Sequence, residues 1–324
     1  MKELPKLLVI VGPTASGKTD LAVRLAKAFD GEVVSADSRL IYKGMDIGTA
    51  KPVRDSEPSP RSLAYRQAGR GPRPYVSDGV PHHLIDLVPP SKTLTAAEWK
   101  KKAVRTIRGI LKRGKLPIVV GGTGLYVRSL IDNLSIPEVP PDQKLRAKLE
   151  RMPREELFAW LRALDPEYAV RAGKNPRYAI RALEVIRAAG RTMTELQKSG
   201  EPLFDALQIG LKPAKGGLEN RISKRVRAMA KTGLVSEVRK LAKRYGWDAP
   251  AMSGIGYGEL RAYLEGRGSL EEALRAIRLR TRQYAKRQMT WFKRDKRIRW
   301  ISGQKKALKI VEKWLKKGKN SPVT

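Results

Sequence analysis

The eight residues Gly12-Pro13-Thr14-Ala15-Ser16-Gly17-Lys18-Thr19 constrain this chain more than any other segment. They satisfy the pattern G-x-x-x-x-G-K-[ST], and their flanks suit it: the apolar, β-branched run Leu7 to Val11 precedes the loop, and the helical pattern Leu21, Leu25, Ala28 follows it. A strand that leaves such a loop as a helix aims backbone amides and a helix N-terminus at phosphate oxygens. Lys18 adds a charge there, and the Thr19 hydroxyl is suited to ligate Mg²⁺. A chance glycine-rich turn would not explain the strand and the helix on either side.

The rest of the chain extends this unit. Glu32 to Ser35 predicts a second strand ending at Ala36 and Asp37, and Leu116 to Val120 a third, ending at Gly121 and Gly122 after a helical stretch from Thr95 to Arg113. Strands separated by helices imply a parallel sheet with its active edge at the strands' carboxyl ends. Lys51 to Pro81 is rich in Pro, Gly, Ser and Arg and predicts a long surface loop ending in a short hairpin near Tyr75. Asp142 to about Gly200 is helical throughout, whereas Leu207 to Leu211 returns as a strand. Helices around Arg221 to Arg244 and Ser269 to Lys293 follow, the latter opened by a Ser269/Glu272 capping box, then a strand near Ile298 to Ile301 and one helix in the lysine-rich tail. The expected fold is α/β: a P-loop NTPase-like core, its parallel sheet flanked by helices, interrupted by an all-α insertion domain. The expected boundaries are 1–138 and 202–324 for the core and 139–201 for the insertion.

Phosphate binding does not specify phosphoryl transfer. P-loop NTPases hold their magnesium partly through an aspartate on a neighbouring apolar strand, yet Leu116 to Val120 ends in Gly-Gly-Thr-Gly with no acid. The carboxylate expected near the loop is instead Asp37, after the second strand. It is open to two readings: an Asx-type cap on the turn into Ser38, or a general base or substrate ligand facing the bound phosphate compound. His82 and His83 precede an apolar Leu-Ile-Asp and read as a packed structural pair. With no cysteine in the chain, disulfides, thiol catalysis and zinc fingers are excluded, and any metal should be a hard cation. Apolar runs are far shorter than the ~20 residues of a membrane span, and no signal peptide is visible, so a soluble cytoplasmic protein is expected. Lys and Arg number 67 against 32 acidic residues, a formal charge of +35. A lysine-rich surface would account for this, but a polyanionic partner accounts for it better, because many phosphates reward many cations through counterion release.

Several blocks carry a resemblance: GPTASGKT, SADSRLIYKGMDIGTAKP, PHHLIDLVPP, VVGGTGLY, RALEVIRAAGRTMTEL, GIGYGEL and TRQYAKRQMTWFKRD. In this order, from residue 8 to about 300, they resemble the signature blocks of the tRNA dimethylallyltransferases, the bacterial tRNA isopentenyltransferase family. The resemblance implies that the exocyclic amine of the adenine just 3′ of the anticodon attacks the allylic carbon of dimethylallyl diphosphate, and that diphosphate leaves. The P-loop would then hold the diphosphate with Mg²⁺, Thr19 would match the magnesium-binding hydroxyl, and Thr14, Ala15, Ser16, Gly17 and Lys18 the substrate-facing loop. Asp37 matches the family's catalytic aspartate. The anticodon stem-loop would meet Asp37, Ser38, Arg39 and Leu40, then Thr123 and Arg146, then the block Arg177 to Arg181, then Lys286, Arg287 and Gln288.

A target adenine must leave its stack to react, which calls for a pocket for a flipped base. Residues 271 to 300 carry 11 basic against 3 acidic side chains, interleaved with Tyr284, Trp291, Phe292 and Trp300, a composition suited to RNA; for Trp291 and Phe292 a core role is favoured. Tyr42, Met45, Leu125 and Tyr126 are open to either prenyl-pocket or core roles. The chain departs from the family at Lys174-Asn175-Pro176, where Asn-Asp is common, at Pro213-Ala-Lys-Gly-Gly, and in a longer loop from Val53 to Val80. Two rivals stand beside the transferase: a small-molecule or nucleotide kinase sharing the P-loop, and a non-catalytic RNA-binding protein. A monomer is expected.

Overall fold

In the computed structural model, which describes residues 3–56, 75–140, 142–213 and 216–317, one sheet runs through the centre of the larger of two compact units. Its strands are β1 (Lys6–Val11), β2 (Gly31–Ser35), β3 (Tyr75–Ser77), β4 (Val80–His83), β5 (Leu116–Gly121), β6 (Asp205–Leu211) and β7 (Arg299–Ile301), in the spatial order β3-β4-β2-β5-β1-β6-β7. All pairings are parallel except the β3–β4 hairpin, which turns at Asp78 and Gly79 with φ of 52° and 72°. That is the positive-φ pair a two-residue hairpin needs. Leu7 to Val11 is wholly buried, as a strand covered on both faces must be, which is why it reads as an unbroken apolar run. Helices α1 (Lys18–Ala28) and α2 (Ala96–Lys112) carry the chain between parallel strands, α2 beginning at a Thr95/Glu98 capping box. The chain runs from β1 to one side of it and later returns with β6 on its other side. The carboxyl end of β1 is therefore the crevice at which open α/β sheets bind ligands. The segment 57–74 of the long surface loop lies outside the described residues.

Helix α3 (Gly124–Ile131) spans the boundary between the units, which fall at 1–127 with 203–324 and at 128–202. The second unit is helical: α4 (Gln143–Glu150), α5 (Arg154–Leu164), α6 (Pro166–Ala172), α7 (Pro176–Ala189) and α8 (Met193–Leu196) close over Leu145, Leu149, Leu157, Leu161, Ile180 and Leu183. The Lys174-Asn175-Pro176 departure has a local use, since the Asn175 side chain caps α7 by accepting from the Arg177 amide at 3.1 Å and Pro176 takes the first helical position.

The chain closes the first unit with α9 (Gly217–Lys231), α10 (Leu234–Tyr245), α11 (Arg261–Leu264), α12 (Leu270–Phe292) and α13 (Gln304–Lys316). The Ser269/Glu272 capping box is present at α12. Glu237 of α10 accepts from the amides of Asp46, Ile47 and Gly48 and from the Tyr257 hydroxyl, and Gly48 lies so close to the Tyr257 ring that a Cβ there would sit 2.6 Å from it. Lys51, its side chain buried, donates to Asp46, Asp86 and the Tyr42 carbonyl. The block MDIGTAKP is thus a structural scaffold. Among the described residues no helix is long and apolar enough to cross a membrane.

The paired histidines are structural. His83 bonds Glu32, which Arg113 also clamps, and His82 is 2% exposed, its Nε2 lacking a partner. Burial, with His83 adjacent, lowers the His82 pKa from 6.5 to about 4, while Asp55 works the other way. Its stability is fully present above pH 6.5 and is lost as pH falls through that window, because the unfolded chain then binds a proton that the fold refuses. The full effect is about 3 kcal/mol at most. Thermal melts at pH 7 and 4.5 should show a larger acid loss for the native chain than for His82→Leu; equal losses would remove His82 as a cause.

Candidate active site

At the end of β1 the chain enters the phosphate loop. Gly12, Ala15 and Gly17 have φ of 152°, 60° and 86°, and a Cβ on Gly12 would meet the Leu211 carbonyl at 3.0 Å and Ser16 Oγ at 3.1 Å. These torsions wrap the loop so that the first amides of α1 share one focus. Lys18 Nζ donates to the Pro13 carbonyl at 3.1 Å, while Ser16 Oγ is buried without a partner. Burial lowers the Lys18 pKa to about 8; the Asp37 charge opposes this and the Arg225 charge adds to it.

Two arginines that the sequence reading passed over complete the loop. Arg225 Nη1 donates to Thr14 Oγ1 at 3.0 Å and Arg221 Nη1 to the Ser16 carbonyl at 3.4 Å, both from α9. Burial lowers the Arg225 pKa against the pull of Asp37 and Asp20. The missed signal was their spacing: Arg221 and Arg225 lie one helical turn apart, beside Ile222 and Val226, which are buried.

Across the crevice, the chain leaves β2 after Ser35 through Ala36 and Asp37. Asp37 Oδ1 accepts from the Arg39 amide at 2.8 Å, so the Asx-turn reading holds for that oxygen. Its charge also acts on Lys18, Arg225, Tyr126 and Tyr284, which brings the carboxylate and the phosphate loop into one electrostatic site. Thr123 accepts from the Ser38 amide at 3.0 Å, and its own amide donates to the Ala36 carbonyl at 3.1 Å. The glycines at the end of β5 are close-approach positions. A Cβ on Gly121 would lie 2.1 Å from the Ala36 carbonyl oxygen, on Gly122 2.0 Å from Gln288, and on Gly124 2.2 Å from Trp291.

A family model described as IPP transferase matches residues 40–295, and one described as isopentenyl transferase matches residues 5–60. The chain belongs to the tRNA dimethylallyltransferase family. Relatives of that name include one from Geotalea uraniireducens (strain Rf4), named tRNA dimethylallyltransferase 2, 43% identical over 91% of this chain and 92% of that protein. Another, from Carboxydothermus hydrogenoformans, is 41% identical over 95% and 96%. Among solved structures, the tRNA isopentenylpyrophosphate transferase of Bacillus halodurans aligns with a TM-score of 0.66 at 35% identity, covering 96% of this chain and 95% of that one. A eukaryotic dimethylallyltransferase acting on tRNA aligns with a TM-score of 0.67 at 28% identity, covering 89% and 69%.

The remaining residues singled out by the tRNA dimethylallyltransferase resemblance fall into three groups. Ser38, Arg39 and Leu40 are half-buried beside Asp37, and Lys286 and Arg287 are exposed on α12, with Arg287 over the Tyr284 ring. In the second unit, Arg146 and Arg181 converge on the buried carboxylate of Glu184, Arg146 through two bonds of 2.5 and 2.8 Å, while Arg177 is exposed. Gln288, whose block resembles a tRNA-contact segment, is bonded within the first unit. It is 5% exposed, its Oε1 accepts from the Thr14 amide at 2.8 Å, and its Nε2 donates to the Gly122 carbonyl at 2.9 Å. Tyr42 and Met45 belong to a buried core cluster, Tyr126 stacks on Trp99 at 4.4 Å, and Leu125 is exposed. Phe292 is buried, as its core reading requires.

The lowered Lys18 pKa gives a pH signature. Below about 8 the ammonium is charged; above it the loop loses that charge, and affinity for an inorganic diphosphate probe should fall by up to about tenfold per pH unit. Calorimetric titration between pH 7 and 9.5 checks this, and a flat profile would remove Lys18 as the titrating cation.

Proposed function

We propose that this chain transfers the dimethylallyl group of dimethylallyl diphosphate to the exocyclic amine of the adenine 3′-adjacent to the anticodon in tRNA, releasing diphosphate. The observation that carries this reading is the Asp37 carboxylate beside the same crevice as Lys18 and Arg225, close enough for its charge to favour the cationic form of both. A base beside a cationic diphosphate cradle suits an alkyl transfer in which an amine nitrogen bonds the allylic carbon, the carbon–oxygen bond breaks, and its electron pair stays on the diphosphate. The loop amides, Lys18 and Arg225 would stabilise the charge that grows on that leaving group. With Oδ1 tied to the Arg39 amide, Asp37 Oδ2 is the oxygen assigned to take the amine proton.

The donor set also fits a magnesium ion. Among the described residues no three His, Cys, Asp or Glu side chains cluster, so the ion would rest on the Thr19 hydroxyl, diphosphate oxygens and water, the mixed oxygen shell that Mg²⁺ favours. When bound it supplies positive charge to the departing diphosphate. Ser38, Arg39, Leu40 and Thr123 are assigned to the flipped adenine, and Arg146, Arg177, Arg181, Lys286 and Arg287 to the anticodon stem-loop, in keeping with the formal charge of +35. The loop, Asp37 and Arg225 come from one compact unit of a single chain, which supports a monomeric catalyst.

Incubating the protein with unmodified tRNA, Mg²⁺ and radiolabelled dimethylallyl diphosphate should place label in the RNA, independently of ATP. Asp37→Ala should slow transfer by about 10² to 10⁴. Absence of label, with ATP consumed in the presence of a small acceptor, would replace this reading with the kinase.

A further inference from the structure

Gln288 and Tyr284 stand one turn apart on α12, and the Gln288 side chain ends where the phosphate loop and the end of β5 meet. Gln288 spans two of these segments, accepting from the Thr14 amide and donating to the Gly122 carbonyl. The Tyr284 side chain lies beside Gln288 and Thr123, and Thr123 in turn holds the Ser38 amide, the residue after Asp37. Burial, with Asp37 nearby, raises the Tyr284 pKa to about 12, so the hydroxyl stays neutral. Gly122 lacks a side chain at the point where the Gln288 amide would strike a Cβ at 2.0 Å. No other polar side chain described here bonds both the phosphate loop and the end of β5.

We propose that Gln288 is a positioning residue that sets the diphosphate loop against the end of β5, and that Tyr284 is the branch carrying this setting to the Asp37 turn. Neither side chain need touch a substrate for this. The tie matters because an alkyl transfer needs the leaving group and the base on opposite sides of the reacting atoms in fixed geometry, and misplacement by about 1 Å costs up to about 100-fold in rate. The two branches are unequal: removing the Gln288 amide releases both segments, whereas removing the Tyr284 hydroxyl releases only the Asp37 side.

This inference rests on the transferase reading, and its test separates the two. Gln288→Met keeps the side-chain volume but loses both bonds, and Tyr284→Phe loses only the hydroxyl. For each, binding of inorganic diphosphate with Mg²⁺ is measured by calorimetry, single-turnover transfer of the dimethylallyl label to tRNA by quench, and folding by thermal melt. In Gln288→Met, diphosphate affinity and the single-turnover rate should each fall about tenfold or more, as expected for a buried amide and carbonyl left unpaired. In Tyr284→Phe the rate should fall about tenfold while diphosphate affinity stays within about twofold. A loss confined to one quantity in Gln288→Met, or an affinity loss in Tyr284→Phe equal to that in Gln288→Met, overturns the tie. Should Gln288→Met not fold, Tyr284→Phe decides alone, an unchanged rate or a weakened diphosphate affinity overturning the proposal. If the native chain transfers no label, the transferase reading fails, and the diphosphate arm still decides whether Gln288 holds the loop.

Discussion

The carbonyl of Ala36 lies where a side chain on Gly121 would stand, and the site depends on that contact. With a Cβ at Gly121, the ends of β2 and β5 would be forced apart, and the bonds from the Thr123 amide to Ala36 and from the Ser38 amide to Thr123 would break. Asp37 sits between those two bonds. Gly122 and Gly124 repeat the device, admitting Gln288 and Trp291 from a helix more than 150 residues further along the chain. What reads in sequence as a strand end lacking the expected acid is, in three dimensions, a surface shaved flat so that other segments can close on it.

Charge organises what sterics bring together. Lys18 and Arg225 are both disfavoured as cations by burial, and Asp37 relieves each of them. A site with surplus positive charge held in low-dielectric surroundings is poised for a polyanion, because an incoming diphosphate meets fixed charges that water screens little. Asp37 opposes the loss of a proton from Lys18 and, with Asp20, from Arg225 before that anion arrives.

Much of this was legible in the residues, for identifiable reasons. The phosphate loop announced itself because its chemistry is local, and the buried strands because parallel sheets leave unbroken apolar runs. The caps at Thr95 and Ser269 were readable or nearly so, since both partners lie within four residues. The failures were non-local. Nothing near Gln288 in sequence tells that its amide bonds the Thr14 amide, 274 positions away. Arg225 was hidden among many arginines, and only the fold distinguishes one aimed at the loop from one aimed at solvent.

The central strand has a further consequence. One side of β1 pairs with β5 and the other with β6, whose Asp205 binds Lys6 across 199 residues of chain. The ribosome therefore releases the phosphate loop long before the strand that supports its far flank exists, and α9 with its arginines follows later still. Contacts of such sequence separation close slowly and leave an apolar strand edge uncovered in the meantime. Nascent chains of this protein should spend much of their synthesis without a competent anion site, and β1 is the segment that most needs shelter from self-association until residue 211 has emerged.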